Sequence, residues 1–264
     1  MKKIFITGAS SGIGNALAQE YAKRFANGKV IIGLVARRSE RLQQLASELQ
    51  TQHQITCAVY PLDVRDSTAL EAAAQDFITR FGAPEIVIAN AGVSRGTLTE
   101  YKEDTPAFQA IMDINVLGMV HTFQPFIAAM KQAGHGQLVG IASVAGIRGL
   151  PGAGAYSASK AAVINYLESL RVEMARDNIA VTTIAPGYIR SPMTNVNSYK
   201  MPFLMDVDVF AHKFAIAVES KRRFVVIPWQ MGILARFMRL IPPYLWDFAM
   251  KKAPHKKRLD WDWL

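Results

Sequence analysis

The feature of this 264-residue sequence that most constrains its fold is the alternation of short apolar runs with longer helical patterns. The runs are nearly continuous in apolar residues, which is typical of parallel strands covered by helices on both faces. Seven strands are predicted, at 3–7, 30–36, 55–61, 85–89, 136–142, 179–185 and 223–228. Helices are predicted at 14–26, 40–52, 66–81, 106–133 and 155–177. This order predicts an α/β fold with a doubly wound, seven-stranded parallel sheet and helices on both faces.

The composition and the apolar runs indicate in which cellular compartment the protein is found. Half of the residues are apolar and 19% are charged, as in globular proteins. The single cysteine, Cys57, cannot form an intramolecular disulfide, which favours a reducing compartment. The first apolar run stops at Thr7-Gly8, which is too short for a signal peptide, and no run is long enough to cross a membrane. We therefore expect a cytoplasmic protein.

A glycine-rich turn follows the first predicted strand and opens a helix. Glycines let the backbone approach a pyrophosphate, and the helix N-terminus offers unpaired N–H groups. The spacing is G-x-x-x-G-x-G rather than the commoner G-x-G-x-x-G, and a plain structural turn is the alternative. The candidate cofactor-binding residues in this turn are Gly8, Ser10, Ser11, Gly12, Ile13 and Gly14.

The end of the second strand bears on the choice of cofactor. An acidic residue there would bind a ribose 2′-hydroxyl and favour NAD, but the sequence has Arg37 and Arg38 instead. A guanidinium can pair with a 2′-phosphate, so NADP(H) is predicted. The alternative is that both arginines only solvate the start of the next helix.

Two further strand ends carry candidate cofactor residues. Asp63-Val64 follows the third strand, where the carboxylate can accept a hydrogen bond from an adenine amino group, although an aspartate at a helix start is also common. Asn90-Ala91-Gly92 follows the fourth strand at the carboxyl edge of the sheet, where ligands bind in such folds.

The candidate catalytic residues are Ser143, Tyr156 and Lys160. Tyr156 and Lys160 are four residues apart, which places them on one face of a helix. Tyrosine ionises near pH ~10, and a neighbouring ammonium is expected to lower its pKa. Such a pair is common by chance, but its combination with the glycine-rich turn, Asn90-Ala91-Gly92 and Ser143 is specific.

Together these motifs resemble the short-chain dehydrogenase/reductase family, in its compact, NADP-preferring, Rossmann-type branch, over residues 3–228. The resemblance implies an oxidoreductase in which NADPH delivers a hydride to a carbonyl carbon and Tyr156 donates a proton to its oxygen. It also implies that Ser143 orients this oxygen, that Lys160 binds the nicotinamide ribose, and that Asn115 holds a proton-relaying water. Further cofactor contacts are implied for Pro186, Gly187, Ile189 and Ser191.

The resemblance also implies a domain organisation. We expect one nucleotide-binding catalytic domain over 1–228, in which 190–209 forms a lid over the substrate. The lid carries Met193, Met201, Phe203, Leu204 and Met205, which suits an apolar carbonyl or secondary-alcohol substrate, although these residues could simply pack the lid. The helices at 106–133 and 155–177 resemble those through which relatives form homodimers and homotetramers.

A basic, amphipathic extension is expected over 229–264. Ten of the thirty Lys and Arg residues lie in 221–264, against three acidic residues. A helix after Pro228 would place Gly232, Ala235, Arg236 and Arg239 on one side and a broad apolar arc elsewhere. Packing on the protein itself or on a second subunit is one interpretation, and peripheral contact of 229–258 with the inner membrane surface is the other. Nucleic acid is not an expected partner, because the charge is not joined to a recognition motif.

Other chemistry has little support. The five histidines are not spaced as metal ligands are, so no metal is expected. Ser143 is not in the G-x-S-x-G motif that carries the nucleophilic serine of many hydrolases, so hydrolysis is not expected either. The rival hypothesis from another class is a non-catalytic NADP-binding sensor or docking module, which would not require the Ser143, Tyr156, Lys160 and Asn115 set.

Overall fold

The computed structural model describes residues 1–256 and 258. One sheet of seven parallel strands runs in the order β3-β2-β1-β4-β5-β6-β7. Its strands are β1 (Lys2–Thr7), β2 (Val30–Ala36), β3 (Thr56–Pro61), β4 (Ile86–Ala89), β5 (Gly136–Ile141), β6 (Ile179–Pro186) and β7 (Phe224–Ile227). The predicted doubly wound α/β fold is confirmed, and every predicted strand is present within about two residues at each end.

Helices cover both faces of the sheet. They are α1 (Gly12–Arg24), α2 (Ser39–His53), α3 (Ser67–Phe81), α4 (Thr105–Met112), α5 (Gly118–Ala133), α6 (Gly154–Glu173), α7 (Pro192–Asn195), α8 (Val207–Glu219), α9 (Trp229–Leu240) and α10 (Pro243–Met250). The strand order reverses between β1 and β4, so the carboxyl ends of these strands open a crevice at the switch point.

The core consists of two apolar layers, one on each face of the sheet. Because side chains alternate along a strand, Ile4 and Ile6 enter the layer beneath α1, α2 and α8, whereas Phe5 enters the layer beneath α3, α5 and α6. The first layer is centred on Tyr21 and Phe210, and the second on a ring cluster in which Phe5 and Phe126 lie 4.7 Å apart. This rigid sheet fixes the positions of the loops at its carboxyl edge.

The predicted helix at 106–133 is interrupted. A π-helical turn at Asp113–Leu117 separates α4 from α5, and it contains Asn115. The helical periodicity of the sequence continues through this turn, which is why a single helix was expected. Such turns insert one extra residue and redirect side chains, and they are frequent at functional sites.

The first helix of the C-terminal extension packs on the domain through small residues. Ala235 and Met231 are buried, and a Cβ added to Gly232 would lie 3.1 Å from the Cβ of Val226 on β7. The Arg148 guanidinium donates 2.6 Å hydrogen bonds to the carbonyl oxygens of Met238 and Ile241 at the end of α9. The side of the helix with Gly232 and Ala235 therefore faces the protein.

The apolar arc of the extension faces away from the domain. Its exposed large side chains are Trp229, Ile233, Leu234, Phe237, Leu240, Tyr244, Leu245 and Phe248. Among residues 1–256 and 258, no helix combines the length and apolar character needed to cross a membrane. Part of the predicted extension, 257 and 259–264, lies outside the described residues, and the division of the chain at 228 stays a prediction.

Candidate active site

A cleft of about 550 Å³ lies at the carboxyl edge of the sheet. The predicted site residues that line it are Gly8, Ser10, Ser11, Gly12, Ile13, Arg37, Arg38, Asp63, Val64, Asn90, Ala91, Gly92, Ser143, Tyr156, Lys160, Pro186, Gly187, Ile189 and Ser191. The fold thus brings together residues from six strand ends that are far apart in sequence. Gly14 and Asn115 were also predicted for the site, but they lie behind the lining.

The glycine-rich turn depends on positions that no side chain could occupy. Gly8 has φ +70°, and a Cβ at Gly14 would lie 2.2 Å from the Gly8 carbonyl oxygen and 2.5 Å from Nδ2 of Asn90. Gly14 therefore supports the turn from within, because it allows α1 to start directly against β1.

The N-terminus of α1 is available to an anion. Its N-cap residue, Ser11, makes no hydrogen bond from its side chain to the first helical N–H groups. Gly12 and Ile13 line the cleft, so the positive end of the helix dipole lies at the cleft. A pyrophosphate fits this end of the cleft.

Positive charge is concentrated beside β2. Arg38 donates hydrogen bonds of 3.0 Å and 2.9 Å to the hydroxyls of Ser10 and Ser11. Burial and the charges of Arg41 and Arg37 lower the pKa of Arg38, which remains a cation at neutral pH. Arg37 Nη1 lies 3.8 Å from Asp63. The arginines thus line the cleft instead of only solvating α2, and this geometry suits a phosphate on the adenine side.

The carboxylate of Asp63 already accepts several hydrogen bonds from another residue of the protein. Its carboxylate accepts hydrogen bonds from the guanidinium of Arg65 at 2.8 Å and 3.1 Å and from the Arg65 backbone at 2.9 Å. Burial alone would raise the pKa of Asp63, but these bonds hold it below its ordinary value. The sequence offered no signal for Arg65, since the pairing depends on the turn after β3.

Asn90 holds two strand ends together. Its amide donates a 2.8 Å hydrogen bond to the Thr7 carbonyl oxygen, and the Thr7 hydroxyl accepts from the backbone N–H groups of Asn90 and Ala91. This network fixes the floor of the cleft between β1 and β4. Thr7 begins the glycine-rich turn in the sequence, but its supporting role was not predicted.

Ser143, Tyr156 and Lys160 meet at the other end of the cleft. Ser143 follows β5, and its hydroxyl accepts a 3.1 Å hydrogen bond from the Ala145 backbone. Tyr156 and Lys160 lie on successive turns of α6, with Lys160 Nζ 5.9 Å from the centroid of the Tyr156 ring. Lys160 is buried and donates a 2.8 Å hydrogen bond to the Ile141 carbonyl oxygen.

The pKa of Tyr156 is shifted in the opposite direction to that expected from its spacing to Lys160. Burial raises the pKa of Tyr156, and its hydrogen bond with Ser143 opposes that shift without reversing it. Burial also lowers the pKa of Lys160 to about 8. The expected fall of the Tyr156 pKa is therefore wrong for this arrangement, because the cost of burying a phenolate dominates. Tyr156 holds its proton at neutral pH.

Asn115 lies directly behind the catalytic pair. Its side chain accepts a hydrogen bond from the Val93 backbone at 2.8 Å and donates to the Val93 carbonyl oxygen at 3.0 Å and to Ser159 at 2.9 Å. A Cβ added to Gly92 would lie 3.2 Å from Asn115 Oδ1 and 3.6 Å from Lys160 Nζ. Asn115 and Lys160 thus face the same small space beside Gly92.

The predicted lid lies only partly over the cleft. Ser191 forms a capping box with Thr194 at the start of α7, and Met193 and Val196 line the cleft. The cleft lining does not include the other lid residues named from the sequence, which are Met201, Phe203, Leu204 and Met205. Met205 instead packs against the core beneath α8, because its backbone pairs with Ile189.

Several polar residues near the Tyr156 end were not predicted from the sequence. Ser94 and Arg95 line the cleft after β4, and Lys256 donates a 2.8 Å hydrogen bond to the Ser94 hydroxyl. The local sequence around Lys256 does not indicate this contact, because 162 residues separate Lys256 from Ser94. No group of three His, Cys, Asp or Glu side chains suited to a metal ion occurs within 1–256 and 258.

Comparison with known proteins identifies the family. Residues 2–201 match the family model for short chain dehydrogenase, so the chain belongs to the short-chain dehydrogenase family. This confirms the resemblance drawn from the motifs. The oxidoreductase class of the protein follows from this membership and from the relatives described next.

Three similar proteins illustrate the relationship. An "uncharacterized oxidoreductase" of Myxococcus xanthus (strain DK1622) is 34% identical over 247 residues, which cover 94% of this chain and 95% of that protein. The 11-beta-hydroxysteroid dehydrogenase 1A of Arabidopsis thaliana is 34% identical over 193 residues, 73% of this chain and 54% of that protein. The alcohol dehydrogenase from the archaeon Thermococcus sibiricus, solved in complex with 5-hydroxy-NADP, matches with a TM-score of 0.76 at 25% identity over 86% of this chain and 96% of that chain.

Proposed function

We propose that this protein is an NADP(H)-dependent oxidoreductase that interconverts a carbonyl compound and a secondary alcohol, with Tyr156 as its acid and base. The observation that carries the proposal is the placement of Ser143, Tyr156 and Lys160 at one end of a cleft whose other end suits a dinucleotide. Family membership supports the oxidoreductase class.

The cofactor proposal rests on charge at the adenine end. The uncapped start of α1 suits the pyrophosphate, and Arg37 and Arg38 suit a 2′-phosphate that NAD lacks. The bound NADP analogue in the Thermococcus sibiricus relative agrees with this choice. Asn90, Gly92, Pro186, Gly187, Ile189 and Ser191 line the cleft where the nicotinamide half would lie.

The chemistry assigns each residue a role. NADPH, when bound, supplies the hydride that reduces the carbonyl carbon. Ser143 donates a hydrogen bond to the carbonyl oxygen and orients it, and Tyr156 transfers its phenolic proton to that oxygen as negative charge develops. The raised pKa of Tyr156 suits this role, because the residue is protonated before each reduction. Alcohol oxidation uses the same groups in reverse.

Reprotonation of Tyr156 would use its neighbours. Lys160 is a cation at neutral pH that would also bind the nicotinamide ribose hydroxyls. Asn115 Oδ1 faces the same space as Lys160 Nζ and has one lone pair beyond its bond to Val93, so it would hold the relaying water.

The substrate is proposed to be apolar around its carbonyl. Val93, Met193 and Val196 are apolar residues that line the cleft, and methionine adapts to varied shapes. The name of the Arabidopsis thaliana relative, a hydroxysteroid dehydrogenase, is consistent with an apolar secondary alcohol.

The direct test is NADPH and NADH oxidation with a broad panel of ketones and aldehydes. Turnover with NADPH and a preference for bulky apolar ketones would support the proposal. Tight NADPH binding without turnover of any compound would favour the non-catalytic sensor instead. Reduction of small polar carbonyls alone would overturn the apolar substrate class.

A homodimer or homotetramer is proposed to form through α4, α5 and α6. Phe108 on α4, Leu117 in the π-helical turn before α5 and Val172 on α6 are exposed large apolar residues. Their burial between two copies would remove this surface from water. Light scattering after gel filtration would test it, with Val172→Glu predicted to shift the mass towards the monomer and Glu48→Lys, an exposed residue on α2, as a control. An unchanged mass for Val172→Glu would contradict this assembly.

Peripheral membrane contact is proposed for α9 and α10. Their exposed apolar arc is bordered by the exposed basic residues Arg236, Arg239, Lys251 and Lys252, a combination that suits anionic lipid. The contact would not extend over the whole of 229–258, because Lys256 and Arg258 bind the catalytic domain. The expected cytoplasmic location stays a prediction.

Flotation with vesicles of phosphatidylcholine and phosphatidylglycerol tests this contact. The intact protein should float with anionic vesicles and less at high salt. The double variant Phe237→Ser/Phe248→Ser should stay at the bottom of the gradient, and Val209→Ser, an exposed apolar residue on α8, should behave like the intact protein. Equal flotation of all three would end the membrane proposal.

A further inference from the structure

The C-terminal tail after α10 turns back onto the catalytic domain. A Cβ added to Gly152 would lie 2.6 Å from the Cβ of His255, so the tail packs closely on the loop before α6. Three residues later, Arg258 reaches the start of α4. The tail thus lies across the two loops that precede α4 and α6, next to the Tyr156 end of the cleft.

An ion pair fixes the tail in this position. Arg258 donates hydrogen bonds of 2.8 Å and 3.0 Å to the two carboxylate oxygens of Asp104, which is buried, and one of 3.2 Å to Glu103. Its guanidinium also stacks 3.7 Å from the centroid of the Tyr101 ring. Bidentate pairing and stacking together define one orientation of the arginine.

This anchoring places Lys256 beside the catalytic tyrosine. Lys256 Nζ lies 5.9 Å from the centroid of the Tyr156 ring, the same distance as Lys160 Nζ. Its single hydrogen bond to the described residues goes to the hydroxyl of Ser94, which lines the cleft. Two ammonium groups therefore flank the ring of Tyr156, one from α6 and one from the tail.

Lys256 lacks a counter-charge within the part of the chain that the structure describes. No carboxylate there lies within ion-pair distance, and only one of its three N–H donors has a partner. Burial and the charge of Arg95 lower the pKa of Lys256 to about 8, so its amine still carries a charge near neutral pH. A partly buried cation without a counter-ion is costly, and an anion beside it would remove that cost.

We propose that Lys256 binds an anionic group of the carbonyl substrate, such as a carboxylate, and that the C-terminal tail is thereby part of the substrate site. This inference rests on the proposed function, because it uses the carbonyl position at Ser143 and Tyr156. The substrate would be amphiphilic, with its apolar part against Val93 and Met193 and its anionic group at Lys256.

The position of Lys256 favours a substrate anion over a cofactor phosphate. The features that suit phosphates are the start of α1 and the arginines after β2, whereas Lys256 is beside Tyr156 and Ser94. Arg95 lines the cleft next to Ser94 and adds positive potential at the same end. The tail therefore contributes to specificity for the compound that is reduced.

The test compares an aromatic ketone bearing a ring carboxylate with its neutral methyl ester. The ratio of their kcat/KM values is measured for the full-length protein and for Lys256→Met, Lys256→Arg and the exposed control Lys23→Met. Loss of a charge-assisted hydrogen bond should lower the ratio by about 10- to 100-fold in Lys256→Met. Lys256→Arg and Lys23→Met should keep it near the wild-type ratio. An unchanged ratio in Lys256→Met would overturn the proposal.

A binding measurement separates this inference from the proposed function. Titration of benzoate, which cannot be reduced at a ketone, into NADP⁺-saturated protein needs no turnover. Weaker benzoate binding in Lys256→Met than in Lys23→Met would support the anion site even if no ketone were reduced. Equal affinities would overturn the site, while turnover of neutral ketones would leave the reductase proposal standing.

Discussion

The side-chain amide of Asn115 donates a 2.9 Å hydrogen bond to the hydroxyl of Ser159, and both residues are completely buried. Ser159 precedes Lys160 on α6, and its own hydroxyl donates a 2.8 Å bond to the Tyr156 carbonyl oxygen. The π-helical turn between α4 and α5 is thereby bonded to the catalytic helix. The positions of Tyr156 and Lys160 thus depend on Asn115, although Asn115 does not line the cleft.

Replacing Asn115 with alanine should reduce both stability and turnover. The change leaves the Val93 backbone and Ser159 without their partner, so we expect the free energy of unfolding to fall by about 2 to 4 kcal/mol. Urea denaturation followed by circular dichroism measures this loss.

The control is Asn165→Ala on the exposed side of α6, where the amide bonds only the Ala161 carbonyl oxygen. We expect that variant to lose less than about 1 kcal/mol and to keep its turnover. Equal losses in the two variants would contradict the structural role assigned to Asn115.

The charges at the end of β2 should determine the cofactor preference. Arg37→Leu/Arg38→Leu should raise the Kd for NADPH by about 10- to 100-fold, since charge-assisted bonds to a phosphate are lost, and should change the Kd for NADH little. Fluorescence titration of both cofactors measures the effect.

A matched control for this charge change is Arg80→Leu, which removes an exposed arginine paired with Asp76 on α3. It should leave both Kd values unchanged. If the double variant weakened NADPH and NADH equally, the arginines would not distinguish the two cofactors.

Reduction of a neutral ketone should depend on the charge of Lys160. Burial lowers the pKa of Lys160 to about 8, so its ammonium is present below this pH and is lost as the pH rises through it. The residue facing it, Tyr156, has a raised pKa and stays protonated over the same range. We therefore expect kcat/KM with NADPH to decline above about pH 8.

The pH profile of the full-length protein is compared with that of Lys256→Met, because the pKa of Lys256 is also lowered to about 8. With a neutral ketone, the decline should persist in this variant. Its disappearance in Lys256→Met would mean that Lys160 is not the group that titrates.

The tail anchor should stabilise the protein only when Asp104 is ionised. Burial alone would raise the pKa of Asp104, but the hydrogen bonds from Arg258 and the Leu98 backbone hold it below its ordinary value. The stabilisation is thus complete above the ordinary aspartate pKa of about 4 and is lost as the pH falls through the lower folded value.

Thermal unfolding of Arg258→Gln should show a lower Tm than the full-length protein at neutral pH. The difference should shrink as the medium is acidified below the ordinary aspartate pKa. Arg236→Gln, an exposed residue on α9, serves as the control and should show no such pH-dependent difference. A Tm difference for Arg258→Gln that is constant with pH would exclude Asp104 as its partner.

The elements that sequence reasoning located best are those whose local pattern matches their environment. The five inner strands were predicted because both of their faces are largely buried, so their apolar runs are continuous. The edge strands β3 and β7 are partly exposed but keep enough apolar residues to be recognised. Many of the cleft residues were located because the glycine-rich turn, Asn90 and Ser143 follow strand ends, and the topology of a parallel sheet brings those ends together. Neither inference needed long-range contacts.

The features that escaped prediction depend on contacts between distant segments or on small local changes. The π-helical turn at Asp113–Leu117 does not disturb the apolar periodicity. In the sequence, Lys256 and Arg258 are simply two of several basic residues near the C-terminus. Only the fold shows that Lys256 binds Ser94 and that Arg258 binds Asp104. The pKa of Tyr156 depends mainly on how deeply the residue is buried, and this burial cannot be inferred from its spacing to Lys160 in the sequence.

The central claim is that Tyr156 transfers the proton during NADPH-dependent carbonyl reduction, and Tyr156→Phe tests it most directly. The measurement is steady-state NADPH oxidation with the best ketone of the panel, alongside NADPH titration and the control Tyr166→Phe on the same helix. We predict that Tyr156→Phe binds NADPH but loses turnover by about 100-fold or more, since general acid catalysis contributes on this scale. Tyr166→Phe should remain active. Full turnover by Tyr156→Phe would contradict the account.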